Sequence, residues 1–167
     1  MLRPALLLIT ALGAASAVRV ARGQDPARST CIVAAVHDGD TLRCRDGRRV
    51  RLIGIDAPEQ GQGAAFAPSR DRLRALAPLE AAVELEADVS PRDRYGRTLA
   101  WVWRGDTLLN ERMVREGWAV LYTAPPDVRH ADRIRAAQAA ATEDRAGLWA
   151  TGGFECLPRD FRRGRCR

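Results

Sequence analysis

Short apolar runs separated by Asp-Gly pairs follow one another from Cys31 onward. The runs are Cys31–Val36, Thr41–Cys44 and Val50–Ile55, and the breaks contain Asp38-Gly39 and Asp46-Gly47. An Asp-Gly pair between apolar runs is a strong signal for a tight antiparallel turn. The pattern therefore predicts three strands joined as successive hairpins.

Two further strands are predicted in the middle of the chain. Residues from Val83 to Val89 alternate strictly between apolar and polar, which is the pattern of a half-buried strand. Thr98–Trp103 is another apolar run, and Tyr95-Gly96-Arg97 supplies the turn before it. These runs bring the number of predicted strands to five.

Helical spacing predicts three helices, at Pro68–Ala77, Leu108–Val114 and Ala131–Trp149. Proline suits the first turn of the first helix, Pro78 ends that helix, and Gly117 ends the second. Three strands, a helix, two strands and two helices follow one another along the chain. This order predicts an α+β fold, a five-stranded OB-type β-barrel with appended helices.

The N-terminal residues have the composition of an export signal. Arg3 precedes the apolar stretch Pro4–Ala14, and Ala15-Ser16-Ala17 fits a small-residue cleavage site. The apolar stretch is shorter than the about 20 residues of a membrane span, although an uncleaved anchor is the alternative. We expect a secreted or periplasmic protein with this division: signal peptide 1–17, flexible leader 18–29, globular domain 30–152 and basic cysteine-containing tail 153–167.

The chain is basic, with 27 arginines, no lysine, 21 acidic residues and a formal net charge of +6. Cationic side chains favour a polyanionic partner such as nucleic acid, because binding releases counterions condensed on the polyanion. Many exported proteins are basic, so the charge alone does not decide the function.

Four cysteines in an exported chain favour two disulfides over a zinc site, since no Cys-x-x-Cys spacing occurs and there are only two histidines. Three pairings are possible. We prefer adjacent pairing, in which each bridge closes a short local loop: Cys31 with Cys44, and Cys156 with Cys166.

The first of these bridges imposes a condition on the first hairpin. A simple two-residue turn at Asp38-Gly39 places Cys44 opposite Val33, two positions from Cys31. The bridge therefore requires a bulge in the first strand near Ala34-Ala35.

Carboxylates and arginines gather at the ends of the apolar runs. Asp38 and Asp40 flank the first turn, and Asp56 and Glu59 follow the third run. Hard cations take such oxygen ligands, and a guanidinium such as that of Arg51 presents several donors to phosphate oxygens. Metal-assisted attack on a phosphodiester requires both kinds of group.

Each of these residues has a plainer explanation on its own: a solvated turn for Asp38-Gly39-Asp40, a surface charge for Glu59, and an edge charge for Arg51. Strand alternation also places Arg51 and Asp56, five positions apart, on opposite faces. One shared site therefore requires a bend between them, for which Gly54 is the expected position.

Three segments together resemble the staphylococcal nuclease (thermonuclease) family: His37–Thr41, Arg51–Glu59 and Asp93–Arg97. The resemblance runs from about Cys31 to Trp149. It implies a calcium-dependent endonuclease that hydrolyses DNA and RNA with little sequence preference and leaves 3′-phosphates. We expect the protein to be a monomer.

The resemblance also implies residue roles. Calcium is expected to bind Asp40, Asp56 and the backbone carbonyl of Ala57, with support from Asp38 through water. Catalytic roles are implied for Arg51, Glu59 and Arg97. Tyr95 is expected to lie beside the bound nucleotide.

Two other function classes compete with the enzyme: a non-catalytic nucleic-acid-binding module on the same fold, and an exported basic barrel that binds another polyanion. Loss of the carboxylates or arginines would favour the module, but all are present, so the sequence favours the enzyme. Gln60–Gly63 is shorter than the basic loops of the family. The tail is either a disulfide-closed basic flap or inert.

Overall fold

The computed structural model describes residues 28–166. The predicted signal peptide and residues 18–27 of the predicted leader lie outside this range. The first strand begins at Arg28, two residues before the predicted start of the domain.

Within residues 28–166 there are eight strands and four α-helices. The strands are β1 (Arg28–Val36), β2 (Thr41–Cys44), β3 (Arg49–Leu52), β4 (Ile55–Asp56), β5 (Ala82–Glu86), β6 (Thr98–Arg104), β7 (Thr107–Leu108) and β8 (Val120–Leu121). The helices are α1 (Phe66–Leu76), α2 (Leu109–Arg115), α3 (Ala131–Glu143) and α4 (Pro158–Arg162). Single 3₁₀ turns lie at Gly63–Ala65 and Gly147–Trp149.

Five of the strands close into a barrel. The order along the sheet is β3-β2-β1-β5-β6, and a parallel pairing between β3 and β6 completes the ring. The first two hairpins are antiparallel, as the Asp-Gly turns predict. The predicted OB-type barrel with appended helices is confirmed, although the third predicted strand is divided into β3 and β4, and the short strands β7 and β8 were not predicted.

Burial follows the predicted alternation only in part. Val83 and Leu85 on β5 point into the core, but Glu86 is also buried, and the strand ends there rather than at Val89. The Glu86 carboxylate accepts a hydrogen bond from Nε1 of Trp103 at 2.7 Å and lies 3.0 Å from Nε2 of His130. Glu86 was expected to be exposed to solvent, but its carboxylate is buried and paired with these two side chains instead.

The C-terminal helix is shorter than predicted, because α3 ends at Glu143 rather than at Trp149. Arg145 and Gly147 both adopt positive φ angles, 52° in each case, which ends the helical path. The turn packs against the end of α2, where a Cβ at Gly147 would lie 2.5 Å from the carbonyl oxygen of Glu116. The first helix, α1, begins two residues before the predicted Pro68 and ends at Leu76, one residue before the predicted Ala77.

Both predicted disulfides are present, Cys31–Cys44 and Cys156–Cys166. The register of β1 against β2 shifts between Val33 and Ala35, so the predicted bulge lies at the predicted position. Val33 faces Cys44 in the ladder, while the Cα atoms of Cys31 and Cys44 are 5.4 Å apart. The bridge thus ties together the hairpin that carries Asp40.

Candidate active site

Asp40 lies at the end of the first hairpin and points away from solvent. The turn is fixed by the backbone N–H of Asp40, which donates to Oδ1 of Asp38 at 3.0 Å. Oδ2 of Asp40 accepts a 2.8 Å hydrogen bond from the backbone N–H of Ala57, and Oδ1 accepts one from the hydroxyl of Thr41. These bonds join the first acidic turn to the second.

Asp56 reaches the same place because the third apolar run is bent. The run splits into β3 and β4 at Gly54, which has a φ of +77°. A Cβ at Gly54 would also lie 2.5 Å from the ring of Trp101, so a side chain is excluded by space as well as by conformation. The predicted bend at Gly54 is confirmed.

The bend brings Arg51 against both aspartates. Its Nη2 atom lies 3.0 Å from Oδ2 of Asp40 and 3.2 Å from Oδ1 of Asp56. Two carboxylates from separate turns thus converge on one guanidinium nitrogen. Sequence alternation alone placed Arg51 and Asp56 on opposite faces, so this ion pair depends on the bend.

Burial disfavours the ionised form of both Asp40 and Asp56. Burial raises the pKa of Asp40 to about 6, with a further contribution from Asp38 that Arg51 opposes. Burial also raises the pKa of Asp56, which is only 1% exposed, and the hydrogen bonds from Arg162 oppose that shift. Buried carboxylates of this kind are stabilised by neighbouring positive charge.

The donor chemistry fits a hard divalent cation. Asp40 and Asp56 offer oxygen atoms alone, which suits calcium or magnesium rather than a softer metal. Between residues 28 and 166 no group of three or more His, Cys, Asp or Glu side chains could hold a metal. The two carboxylates therefore need carbonyl and water ligands to complete a shell, as the expected set with the Ala57 carbonyl provides.

Glu59 follows Pro58 at the rim of the barrel, with a side chain 38% exposed. Its backbone N–H donates to Oε1 of Gln62 at 2.8 Å, which holds the turn. Its carboxylate accepts a hydrogen bond from Nη1 of Arg162, a residue of the C-terminal helix α4.

Arg162 also binds Asp56, with hydrogen bonds of 3.0 and 2.9 Å to the two carboxylate oxygens. Sequence reasoning missed this residue. The tail contains five arginines, at 159, 162, 163, 165 and 167, and their spacing distinguishes none of them. Only the fold shows which one reaches the carboxylates.

The turn before β6 supplies the opposite side of the site. Oδ1 of Asp93 accepts the backbone N–H groups of Tyr95 and Arg97 at 2.9 and 3.0 Å, and its Oδ2 accepts Nε of Arg97 at 2.7 Å. Burial alone would raise the pKa of Asp93, but these donors outweigh it and hold the pKa below its usual value. Asp93 therefore fixes the direction of Arg97.

Tyr95 is 64% exposed, and the guanidinium carbons of Arg94 and Arg97 lie 4.9 and 5.7 Å from the centre of its ring. An exposed aromatic ring between arginines can stack on a base while the arginines face phosphate.

A cavity of about 570 Å³ joins the two sides. Its lining includes six residues that the sequence singled out: Asp38, Asp40, Arg51, Glu59, Tyr95 and Arg97. Tyr122, to which the sequence assigned no role, lines it as well, together with Arg162. A volume of this size lies in the usual range for small-molecule sites.

An OB-type barrel whose rim combines buried carboxylates, a glutamate and arginines around one cavity has the groups of a phosphodiester hydrolase. A family profile described as "Staphylococcal nuclease homologue" matches residues 49–151. A thermonuclease of Staphylococcus intermedius is 38% identical over 127 residues, which cover 71% of this chain and 74% of the relative.

Two further relatives carry related names. A micrococcal nuclease of Shigella flexneri is 39% identical over 132 residues, covering 71% of this chain and 72% of the relative. An uncharacterized endonuclease of Haemophilus influenzae is 34% identical over 149 residues, covering 87% and 75%. The chain belongs to the staphylococcal nuclease family, and it is a nuclease that hydrolyses phosphodiester bonds.

Proposed function

We propose that this protein is an exported, calcium-dependent endonuclease that cleaves DNA and RNA with little sequence preference and leaves 3′-phosphates. The convergence of Asp40 and Asp56 on Arg51, beside Glu59 at the rim of one cavity, is the observation that carries the proposal. Burying carboxylates costs free energy of folding, and a role in binding a metal ion explains why they are placed at this rim.

Asp40, Asp56 and the carbonyl of Ala57 would hold the calcium ion, with Asp38 acting through water. When bound, calcium supplies positive charge that offsets the charge of the phosphate oxygens. Loss of either carboxylate would remove half of the charged ligands.

Glu59 orients the attacking water and takes up its proton. The carboxylate lines the cavity and is partly exposed, so a water molecule can reach it. Attack on phosphorus opposite the 5′ oxygen breaks the P–O5′ bond and leaves the phosphate on the 3′ side. Solvent water protonates the leaving oxygen, because a guanidinium keeps its protons at neutral pH.

Arg51 and Arg97 bind the scissile phosphate and stabilise the charge of the five-coordinate transition state. Asp93 accepts a hydrogen bond from Nε of Arg97, so the two Nη groups of Arg97 remain available to donate to phosphate oxygens. Tyr95 supports the neighbouring nucleotide from the same turn.

Two disulfides support export, because such bonds persist in oxidising compartments. Within residues 28–166 no helix has the length and apolarity to cross a membrane. We assign the catalytic unit to residues 30–152 and the tail to 153–167, and we expect a monomer in the periplasm or the medium.

The test is incubation of the purified protein with plasmid DNA and with RNA, in calcium or in excess chelator. We expect cleavage of both only with calcium, and 3′-phosphate ends that phosphatase removes. Asp40→Asn should abolish cleavage, whereas Asp46→Asn, the same change in the next hairpin, should not. Binding of nucleic acid without cleavage would instead favour the non-catalytic module.

A further inference from the structure

The C-terminal tail, residues 153–166, lies against the turn that carries Glu59. It consists of the short helix α4 and a loop closed by the Cys156–Cys166 bridge, whose Cα atoms are 5.7 Å apart. The family profile ends at residue 151, so this segment lies outside the matched region.

Three contacts join the tail to the turn. Arg162 binds the carboxylate of Glu59. Nε2 of Gln62 donates to the carbonyl of Cys156 at 2.9 Å, while Oε1 of the same Gln62 accepts the backbone N–H of Glu59. The backbone and the side chain of Glu59 are therefore both held, directly or through one residue, by the tail.

The third contact is one of packing. A Cβ placed at Gly61 would lie 2.7 Å from Cζ of Phe161, so the ring rests directly on the backbone of the loop. The glycine makes this approach possible, and it belongs to the loop Gln60–Gly63 that follows Glu59. The tail thus covers the loop that follows Glu59.

We propose that Arg162 is a positioning residue for Glu59, delivered by the disulfide-closed tail. A partly exposed glutamate samples several rotamers, and fixing it at both ends reduces that freedom before the reaction begins. Arg162 also binds Asp56, but the positioning role rests on its bond to Glu59, which does not require Asp56 to stay paired with Arg162 when a cation binds.

This inference rests on the proposed role of Glu59, but it adds a requirement that the family profile does not contain. If Glu59 acts without help from the tail, replacing Arg162 should leave the cleavage rate unchanged. If the tail only shields the site from substrate, replacing Arg162 should raise the cleavage rate.

The first test compares the steady-state kinetics of Arg162→Ala with those of Arg163→Ala, the exposed neighbour of equal charge. For Arg162→Ala we expect kcat to fall roughly 10–100-fold with little change in KM, because a misplaced water slows the chemical step. Arg162→Lys should recover part of the rate. A kcat for Arg162→Ala equal to or above that of Arg163→Ala overturns the inference.

The second test does not need activity. Backbone hydrogen exchange at residues 59–62 should quicken in Arg162→Ala but not in Arg163→Ala, because the first change releases the Glu59 turn. Unchanged exchange there overturns the positioning role whatever the kinetics show. If the unmodified protein fails to cleave nucleic acid in calcium, the proposed function falls, and the exchange result still decides whether the tail orders the turn.

Discussion

Arg162 binds both carboxylate oxygens of Asp56 across a sequence separation of 106 residues, at 3.0 and 2.9 Å. Arg51 binds the same carboxylate from the barrel at 3.2 Å. Two guanidinium groups thus neutralise a side chain that is only 1% exposed. A cation that takes Asp56 as a ligand therefore competes with these guanidinium groups for the carboxylate.

The first prediction concerns calcium affinity. Arg162→Ala should bind calcium more tightly than the unmodified protein, because the cation no longer competes with this guanidinium for Asp56. We expect an increase of about fivefold, since the ion pair is 40% exposed on the arginine side and such pairs contribute about 1 kcal/mol. Titration calorimetry measures it, with Arg163→Ala as the control. Weaker binding by Arg162→Ala would refute the competition.

The second prediction concerns Glu59. Glu59→Gln should bind nucleic acid nearly as well as the unmodified protein but cleave it about 10²–10⁴-fold more slowly, because the amide cannot accept the proton of water. Rapid-quench kinetics measures the cleavage rate, and a separate binding titration measures the affinity for nucleic acid. Glu143→Gln, at the exposed end of α3, should retain full activity. Near-normal turnover of Glu59→Gln would remove this residue from the mechanism.

The third prediction separates charge from geometry at the arginines. Arg51→Lys and Arg97→Lys should each lose most of the rate although the charge is kept, because an ammonium cannot make the bidentate contact with phosphate. We expect a loss of roughly 10²-fold or more in kcat. Arg135→Lys on the exposed surface of α3 is the matched control. A lysine variant that keeps most of the rate shows that its arginine supplies only general charge.

The fourth prediction concerns stability without calcium. The pKa of Asp40 rises from 3.8 to about 6 on folding, so the ionised side chain destabilises the folded protein at neutral pH. Asp40→Asn should therefore raise the free energy of unfolding in chelator at pH 8 by up to about 3 kcal/mol, the equivalent of this shift in pKa.

The sign of its pH dependence follows from the same shift. Between these two pKa values the folded protein binds the proton more tightly than the unfolded chain, so the stability of the unmodified protein gains from this group as pH falls through about 6. The advantage of Asp40→Asn should shrink from pH 8 toward pH 4. Urea unfolding at several pH values measures it, and a variant that is less stable at pH 8 would contradict the prediction.

Local patterns were enough to predict the barrel strands because turn residues that are recognisable in the sequence separate neighbouring apolar runs. Asp38-Gly39 and Asp46-Gly47 marked both hairpins, and the bulge predicted near Ala34-Ala35 is present. Cys44 nevertheless still faces Val33, so the bridge to Cys31 runs diagonally across the ladder and the bulge does not place the two cysteines opposite each other. The same reasoning failed where long-range packing decides. Glu86 is buried because Trp103 and His130 pair with it, and α3 ends at Glu143 because its following turn packs on α2.

The site divides in the same way. The motif residues Asp40, Asp56, Glu59 and Arg97 could be selected from sequence, and the structure brings them to one cavity or directly behind it. Arg162 could not be selected, since it is one of five arginines in a tail without a recognisable motif. The Cys156–Cys166 bridge was predicted, but nothing in the local sequence indicates that Phe161 packs against Gly61 and that Arg162 thereby reaches the carboxylates.

Calcium dependence is tested most directly by a calcium titration in which binding and cleavage are measured on the same preparation. We predict that one calcium ion binds per molecule, that the rate of plasmid cleavage rises along the same curve, and that Asp40→Asn loses both. Excess chelator should reduce the rate to background. Full cleavage in chelator, or calcium binding that leaves the rate unchanged, would contradict a calcium-dependent nuclease.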